Sequence, residues 1–243
     1  MALEEEFEVE GNRLFRYRSY LPIILLVAGV VVIVLTDGKS TPHLTLFEWA
    51  CLAVSSLGLL VRVFTVGHTP AGTSGRNTKQ QVADCLNTSG AYSIVRHPLY
   101  LGNFLLYLGI ACLTQSGSFV LVFILVFWLY CERIMFAEEQ FLRRKFGKDF
   151  IEWAVHTPAF IPAFGKYKSS KFSFSWKKVL KKEKNGIFAL FLVFCLFDVI
   201  IRMASGQTNV NISFIVMAAL TGVAYLVLDY LKKHTHVLDE EGR

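Results

Sequence analysis

Six long apolar runs, each closed by a charged or turn-forming stretch, divide this chain: 20–36, 44–66, 99–113, 118–135, 187–203 and 212–231. A helix that crosses a bilayer needs about 20 mostly apolar residues, and these runs, some a little short, predict six spanning helices. The expected fold is an all-α integral membrane protein, a single polytopic domain over residues 1–243 with no internal repeat and no separate soluble domain. Thr41-Pro42 ahead of the second run reads as an N-cap followed by an N1 proline, and His97-Pro98 opens the third in the same way. Ser116-Gly117 leaves room only for a tight turn, so the third and fourth runs form an antiparallel hairpin.

Composition turns long apolar runs into a membrane protein. Hydrophobic residues make up 53% of the chain, 21 of them phenylalanine, and the mean hydropathy is +0.45, well above a soluble domain of this size. The first nineteen residues are acidic (Glu4-Glu5-Glu6), then basic (Arg13, Arg16, Arg18), with no small-residue cleavage site after them. The first run is thus expected to be an anchor, and no C-terminal lipidation box follows the last. Cys51, Cys85, Cys112, Cys131 and Cys195 are scattered without a CxxC pair, so neither a disulfide nor a metal site is expected.

Charge then orients the chain. Lysine and arginine collect in the N-terminal segment, in the loop 67–97 (Arg76, Lys79, Arg96), in the stretch 132–186 and in the tail, whereas the opposite loops hold only Lys39. The positive-inside rule predicts both termini and both long loops in the cytoplasm. Read in isolation, the basic run Lys166–Lys184 with Phe172, Phe174 and Trp176 resembles a nucleic-acid patch. Beside a membrane such a segment is expected to lie on anionic headgroups instead, with no nucleic-acid partner.

Two polar blocks stand where packing alone does not need them. Gly90 to Asn103 reads Gly-Ala-Tyr-Ser-Ile-Val-Arg-His-Pro-Leu-Tyr-Leu-Gly-Asn. Pro98 fixes a helix start whose first N–H groups face the boundary, with Arg96 and His97 on its rim and Tyr100 on its first turn. Gly102 allows a ligand or a neighbouring helix close to its backbone. The plainer reading is a snorkelling arginine and an aromatic belt. The second block runs from Glu132 through Glu138-Glu139 to Phe150. Helical spacing sets Glu132, Met135 and Glu139 near one face, and carboxylates at a membrane edge are costly unless paired or functional. Pairing of Glu138 or Glu139 with Arg143 or Arg133 is the plainer alternative.

Gly90-x-Tyr92-x-x-x-Arg96-His97-Pro98-x-Tyr100-x-Gly102, followed by Glu138-Glu139-x-x-Leu142-x-x-x-Phe146-Gly147-x-x-Phe150, resembles the isoprenylcysteine carboxyl methyltransferase and phospholipid methyltransferase superfamily. The resemblance covers roughly residues 60–165, and departs from the family where Phe150 replaces a common tyrosine. It implies an S-adenosyl-L-methionine pocket at the cytoplasmic membrane boundary, with His97, Pro98, Leu99, Tyr100, Gly102, Glu138 and Glu139 contacting cofactor and a lipid entering between helices. Leu86-Asn87-Thr88-Ser89 and Leu99 to Phe104 further resemble a bacterial branch that methylates the lipid A 1-phosphate, which implies the bacterial inner membrane.

The chemistry favours an anionic acceptor. Bringing a phosphate or carboxylate to a sulfonium cation cancels charge, which a water-poor site assists, and no general base is required. Arg96 and Arg133 are the expected catalytic and substrate-binding cations, Arg62 is a third substrate-binding candidate, and Glu139 completes the catalytic set. A prenylcysteine carboxyl is one alternative acceptor. A phospholipid amine is another, with His97 or a glutamate as base. An NADPH-dependent membrane reductase of the sterol type and a small transporter are the rivals from other classes. The transporter would use the intramembrane charges Asp198, Arg202 and Asp229, although Asp198 and Arg202 at i,i+4 are more simply a structural pair.

Overall fold

Residues 2–38, 44–73, 81–240 and 242 are described by a computed structural model, so the Thr41-Pro42 cap and Lys39, Arg76, Lys79 and Arg243 lie outside the described residues. Eight α-helices occur among them: α1 (Leu3–Tyr17), α2 (Leu21–Leu35), α3 (Leu44–Gly67), α4 (Pro98–Cys112), α5 (Gly117–Phe146), α6 (Lys148–His156), α7 (Trp176–Ala204) and α8 (Ile212–His234). Among the described residues there is no strand, only an isolated antiparallel bridge between Gly90 and Lys168.

Each predicted span coincides with a helix, but not every helix is long enough to cross. α3, α5, α7 and α8 are long and apolar enough, and α1 with α2 makes a further candidate bent by 71°. α4 has 15 residues, about 22 Å at the α-helical rise, short of a hydrocarbon core of about 30 Å. It is enclosed by α3, α5 and α7 and opens the cavity described below. α5 and α7 also extend beyond the predicted runs: Glu132–Phe146 and Trp176–Gly186, expected as parts of one loop, are helical. Their caps explain the starts, since Ser116 Oγ accepts from Phe119 N at 3.3 Å and Ser175 Oγ from Lys178 N at 3.1 Å. The four-residue connection 113–116 makes α4 and α5 the expected antiparallel hairpin.

α3 and α4 pack backbone to backbone. Ser55 Oγ donates to Leu106 O at 2.8 Å, and a Cβ on Gly58 or Gly109 would overlap main-chain atoms of the facing helix. Small residues and a buried hydroxyl suit an interface in lipid, where apolar burial alone does not drive helices together. Ile33, Leu52, Leu106, Ile110, Leu190, Phe194 and Phe197 fill the space between α2, α3, α4 and α7. Outward-facing Leu121, Leu125, Leu129, Leu220, Val223 and Val227 remain exposed, as expected for a lipid-facing surface.

At the end of the bundle away from the two polar blocks, Arg202 donates to Asp198 at 2.5 Å and to Glu48 at 3.1 Å. The predicted Asp198–Arg202 pair is present, with Glu48 of α3 as an unforeseen third member. Asp229 of α8 pairs with Lys184, and with Lys233 at 2.7 Å. Buried charges are thus paired across α3, α7 and α8, as a low-dielectric interior requires.

Candidate active site

The start of α4 and the polar end of α5 meet across a cavity of about 810 Å³. Pro98 supplies the N1 position of α4, and His97 N donates to Ala159 O at 3.1 Å while Arg96 N donates to Pro158 O at 2.8 Å. The 90–97 loop is therefore held from outside by residues that follow α6. Gly90 enters it at φ +60°, a conformation that disfavours a side chain.

Glu139 is the hub. Its Oε1 accepts from Arg96 Nε at 2.8 Å and from His97 Nε2 at 2.9 Å. A carboxylate can only accept, so His97 carries its hydrogen on Nε2. Arg96 also donates through Nη1 to Ala154 O and Thr157 O, both at 2.8 Å. Glu138, the next residue, accepts from the Tyr100 hydroxyl at 2.9 Å, and its Oε2 lies 3.7 Å from His97 Nδ1. The imidazole thus lies between two carboxylates, Glu139 holding two hydrogen bonds, from Arg96 and His97, and Glu138 one, from Tyr100. Tyr92 also faces the cavity, where burial and the charge of Glu138 push its phenol up, keeping it neutral. Trp153 donates to Tyr92 O at 3.0 Å and packs edge-on against Phe150.

Arg96, His97, Pro98, Leu99, Tyr100, Glu138 and Glu139 all line the cavity. Gly102 does not: it faces α3, where an added Cβ would come within 2.6 Å of Arg62 Cγ. Of the two approaches its missing side chain allows, the structure uses the neighbouring helix. Arg133 is also elsewhere. Its guanidinium stacks 3.3 Å above the Phe7 ring and its Nε lies 3.6 Å from Glu10 of α1, so it holds α1 against α5. Arg62 does reach the cavity but is clamped, donating twice to Glu183 at 3.0 and 2.7 Å and to Asn103 at 2.6 Å. Glu138 and Glu139 pair with neither Arg143 nor Arg133.

Several wall residues went unrecognised in the sequence. Glu183 and Asn103 fix Arg62; their distance along the chain hid them. Arg18 sits at the break between α1 and α2, lines the cavity and stacks 3.9 Å over Phe15; in the sequence it counted only toward charge asymmetry. From this polar end the cavity runs past Leu21, Leu26, Leu106, Tyr107, Ile110 and Val193, a wall with few polar groups. Among the described residues no group of three or more His, Cys, Asp or Glu side chains is placed to hold a metal ion.

The family profile for phospholipid methyltransferase matches residues 52–149, which run from within α3 through α4 and α5 to the start of α6. The nickel-cobalt-cadmium resistance protein NccN of Alcaligenes xylosoxydans xylosoxydans is 34% identical over 157 residues, 64% of this chain and 70% of that protein. Protein-S-isoprenylcysteine O-methyltransferase B of Arabidopsis thaliana is 33% identical over 78 residues, 32% of this chain and 39% of its own length. The Schizosaccharomyces pombe protein-S-isoprenylcysteine O-methyltransferase is 26% identical over 155 residues, 57% of this chain and 66% of its own. No solved structure matches. With these relatives and a profile lying over the helices that build the cavity, the chain belongs to the isoprenylcysteine carboxyl methyltransferase and phospholipid methyltransferase superfamily and is an integral-membrane methyltransferase.

Proposed function

We propose that the protein is an S-adenosylmethionine-dependent O-methyltransferase that esterifies an anionic group, phosphate or carboxylate, on a lipid. The site would face the cytoplasm in a bacterial inner membrane. One observation carries this reading: a single cavity joins the Glu138–His97–Glu139 group to an apolar wall between α2, α4 and α7.

The residues present fit the cofactor. The cavity volume of about 810 Å³ lies within the usual range of ligand pockets. Glu138 would attract its cationic groups, the N–H groups at the start of α4 its carboxylate, and Tyr92 and Trp153 its adenine. When bound, S-adenosylmethionine supplies an electrophilic methyl group on a sulfonium cation. The protein's task is then to bind, orient and exclude water. Tyr100 holds Glu138 in place, while Arg96 and His97 hold Glu139 and offset its charge so that it adds little repulsion toward an anionic acceptor. The apolar wall would keep the lipid tail and leave the headgroup beside the donor. Positioning of this kind supplies about 7–11 kcal/mol in favourable intramolecular cases. Arg96 remains the cation closest to the carboxylates. Arg62 is proposed to set the depth of the acceptor through Glu183 and Asn103, and Arg133 to act only by fixing α1.

A lipid A 1-phosphate is one acceptor that fits this description. Methyl esterification removes a negative charge from a headgroup, and a less anionic surface attracts divalent cations less strongly. That consequence would connect the reaction with the metal resistance for which the Alcaligenes relative is named. Lipids extracted from cells that express the wild-type chain or Glu138→Gln test the reading by mass spectrometry. A methyl ester on a phosphate or carboxylate in the wild-type sample alone is the expected result. Identical lipid profiles would refute it.

A further inference from the structure

Residues 157–168 form an irregular strap along the outside of the 90–97 loop. Besides the bonds from Arg96 N and His97 N, Ala163 N donates to Ile94 O and Gly90 N to Lys168 O, both at 2.9 Å. Lys168 N donates to Ser93 Oγ at 2.9 Å, and Thr157 O accepts from the Arg96 guanidinium. Both side chains that hold Glu139 therefore take their positions from this strap.

The strap's outer face covers nothing in the described chain. Ile161 is 80% exposed and Phe164 76% exposed, with exposed Tyr167 and Trp176 beyond them. Its depth is fixed by Phe160, whose ring packs edge-on against Phe104 of α4 at 5.8 Å and Trp128 of α5 at 5.4 Å. Trp128 shares the exposed apolar face of α5 with Leu125 and Leu129, so the tip lies beside the part of α5 that lipid must surround. After the tip come Lys166, Lys168, Lys171 and Lys177, and residues 157–177 contain no Asp or Glu. Lys166 donates to His156 O at 2.8 Å, which leaves it further N–H groups. An apolar tip followed by unopposed cations matches a bilayer whose acyl chains lie beneath anionic phosphates.

We propose that the strap docks on an anionic bilayer surface, with Ile161 and Phe164 inserted below the headgroups and Lys166, Lys168 and Lys171 on lipid phosphates, and that this docking steadies Arg96 and His97. The proposal does not depend on which cofactor or acceptor the cavity takes. The coupling is mechanical: a strap anchored in lipid cannot fray away from the two backbone amides it receives.

The test uses the full chain in nanodiscs of phosphatidylcholine alone or mixed with phosphatidylglycerol. Tryptophan fluorescence of Ile161→Trp should be quenched by acyl chains brominated near the headgroup beyond the wild-type background; no added quenching would overturn the insertion. Hydrogen exchange is read at the Arg96 and His97 amides, with no activity assay. Protection should rise about tenfold or more with the anionic lipid in the wild type, and lose that dependence in the combined variant Lys166→Gln, Lys168→Gln, Lys171→Gln. Equal protection in both lipids would overturn the coupling even if the tip is inserted.

Discussion

Glu138 and Glu139 are neighbours with different jobs. Glu139 accepts two hydrogen bonds on Oε1, from Arg96 and His97, whereas Glu138 accepts one, from the Tyr100 hydroxyl, with His97 Nδ1 3.7 Å away. The carboxylate with fewer partners is the better counterion for a cationic ligand. Glu138→Gln should therefore weaken S-adenosylmethionine binding by about ten- to a hundredfold, in line with about 1.5–3 kcal/mol for a charged hydrogen-bonding group. Titration calorimetry on detergent-purified protein checks this, and unchanged affinity would remove Glu138 from the site. Arg133→Ala separates the sequence expectation from the geometry. Its stacking on Phe7 predicts a loss of about 0.5–1 kcal/mol in stability with kcat/KM for the lipid unchanged, whereas a fall in kcat/KM at full folded yield would restore it as a substrate ligand. The Arg-His-Pro-x-Tyr segment was legible because polar side chains at a helix start inside an apolar sequence have no packing reason to be there. Arg133 was not, because helical spacing gives a direction around α5 but not the neighbour that fills it. That neighbour is α1, whose amphipathic pattern was read only as charge.

Helix packing explains which spans were legible. α3, α5, α7 and α8 announce themselves by continuous apolar length. α4 and the α1–α2 pair are shaped instead by what they enclose: a short helix and a 71° bend leave the cavity open between them. The strap's attachment to the 90–97 loop leaves little side-chain signature, since mainly main-chain hydrogen bonds carry it. Close contact of α3 with α4 makes a sharp prediction. Gly109→Val would drive a side chain into Ser55 and the Cys51 carbonyl, an overpacking that costs about 1–3 kcal/mol or more. The expected result is a lower thermal midpoint and reduced folded yield in size-exclusion chromatography; a wild-type midpoint would contradict the backbone contact. At the opposite end, Arg202→Met leaves Glu48 and Asp198 buried without their cation. Breaking a buried pair in this way costs about 3–5 kcal/mol, again read as thermal unfolding in detergent.

The whole molecule has one polar end with the cavity and one with the Glu48–Asp198–Arg202 group, and the charge bias predicts that the cavity end is cytoplasmic. Cys85, exposed in the loop before the Tyr92–Tyr100 segment, reports this directly. A membrane-impermeant maleimide should label it in inverted vesicles and not in intact cells, with Cys85→Ser as the blank; the reverse pattern would turn the protein over. The central claim is methyl transfer to an anionic lipid. Purified protein, S-adenosylmethionine carrying a radiolabelled methyl group and a total bacterial lipid extract test it most directly, with the products resolved by chromatography. The expected product is a labelled lipid whose label behaves as a methyl ester of phosphate or carboxylate and disappears with Glu138→Gln. Label on an amine would contradict the anionic acceptor, and no labelled lipid together with no cofactor binding would contradict the function itself.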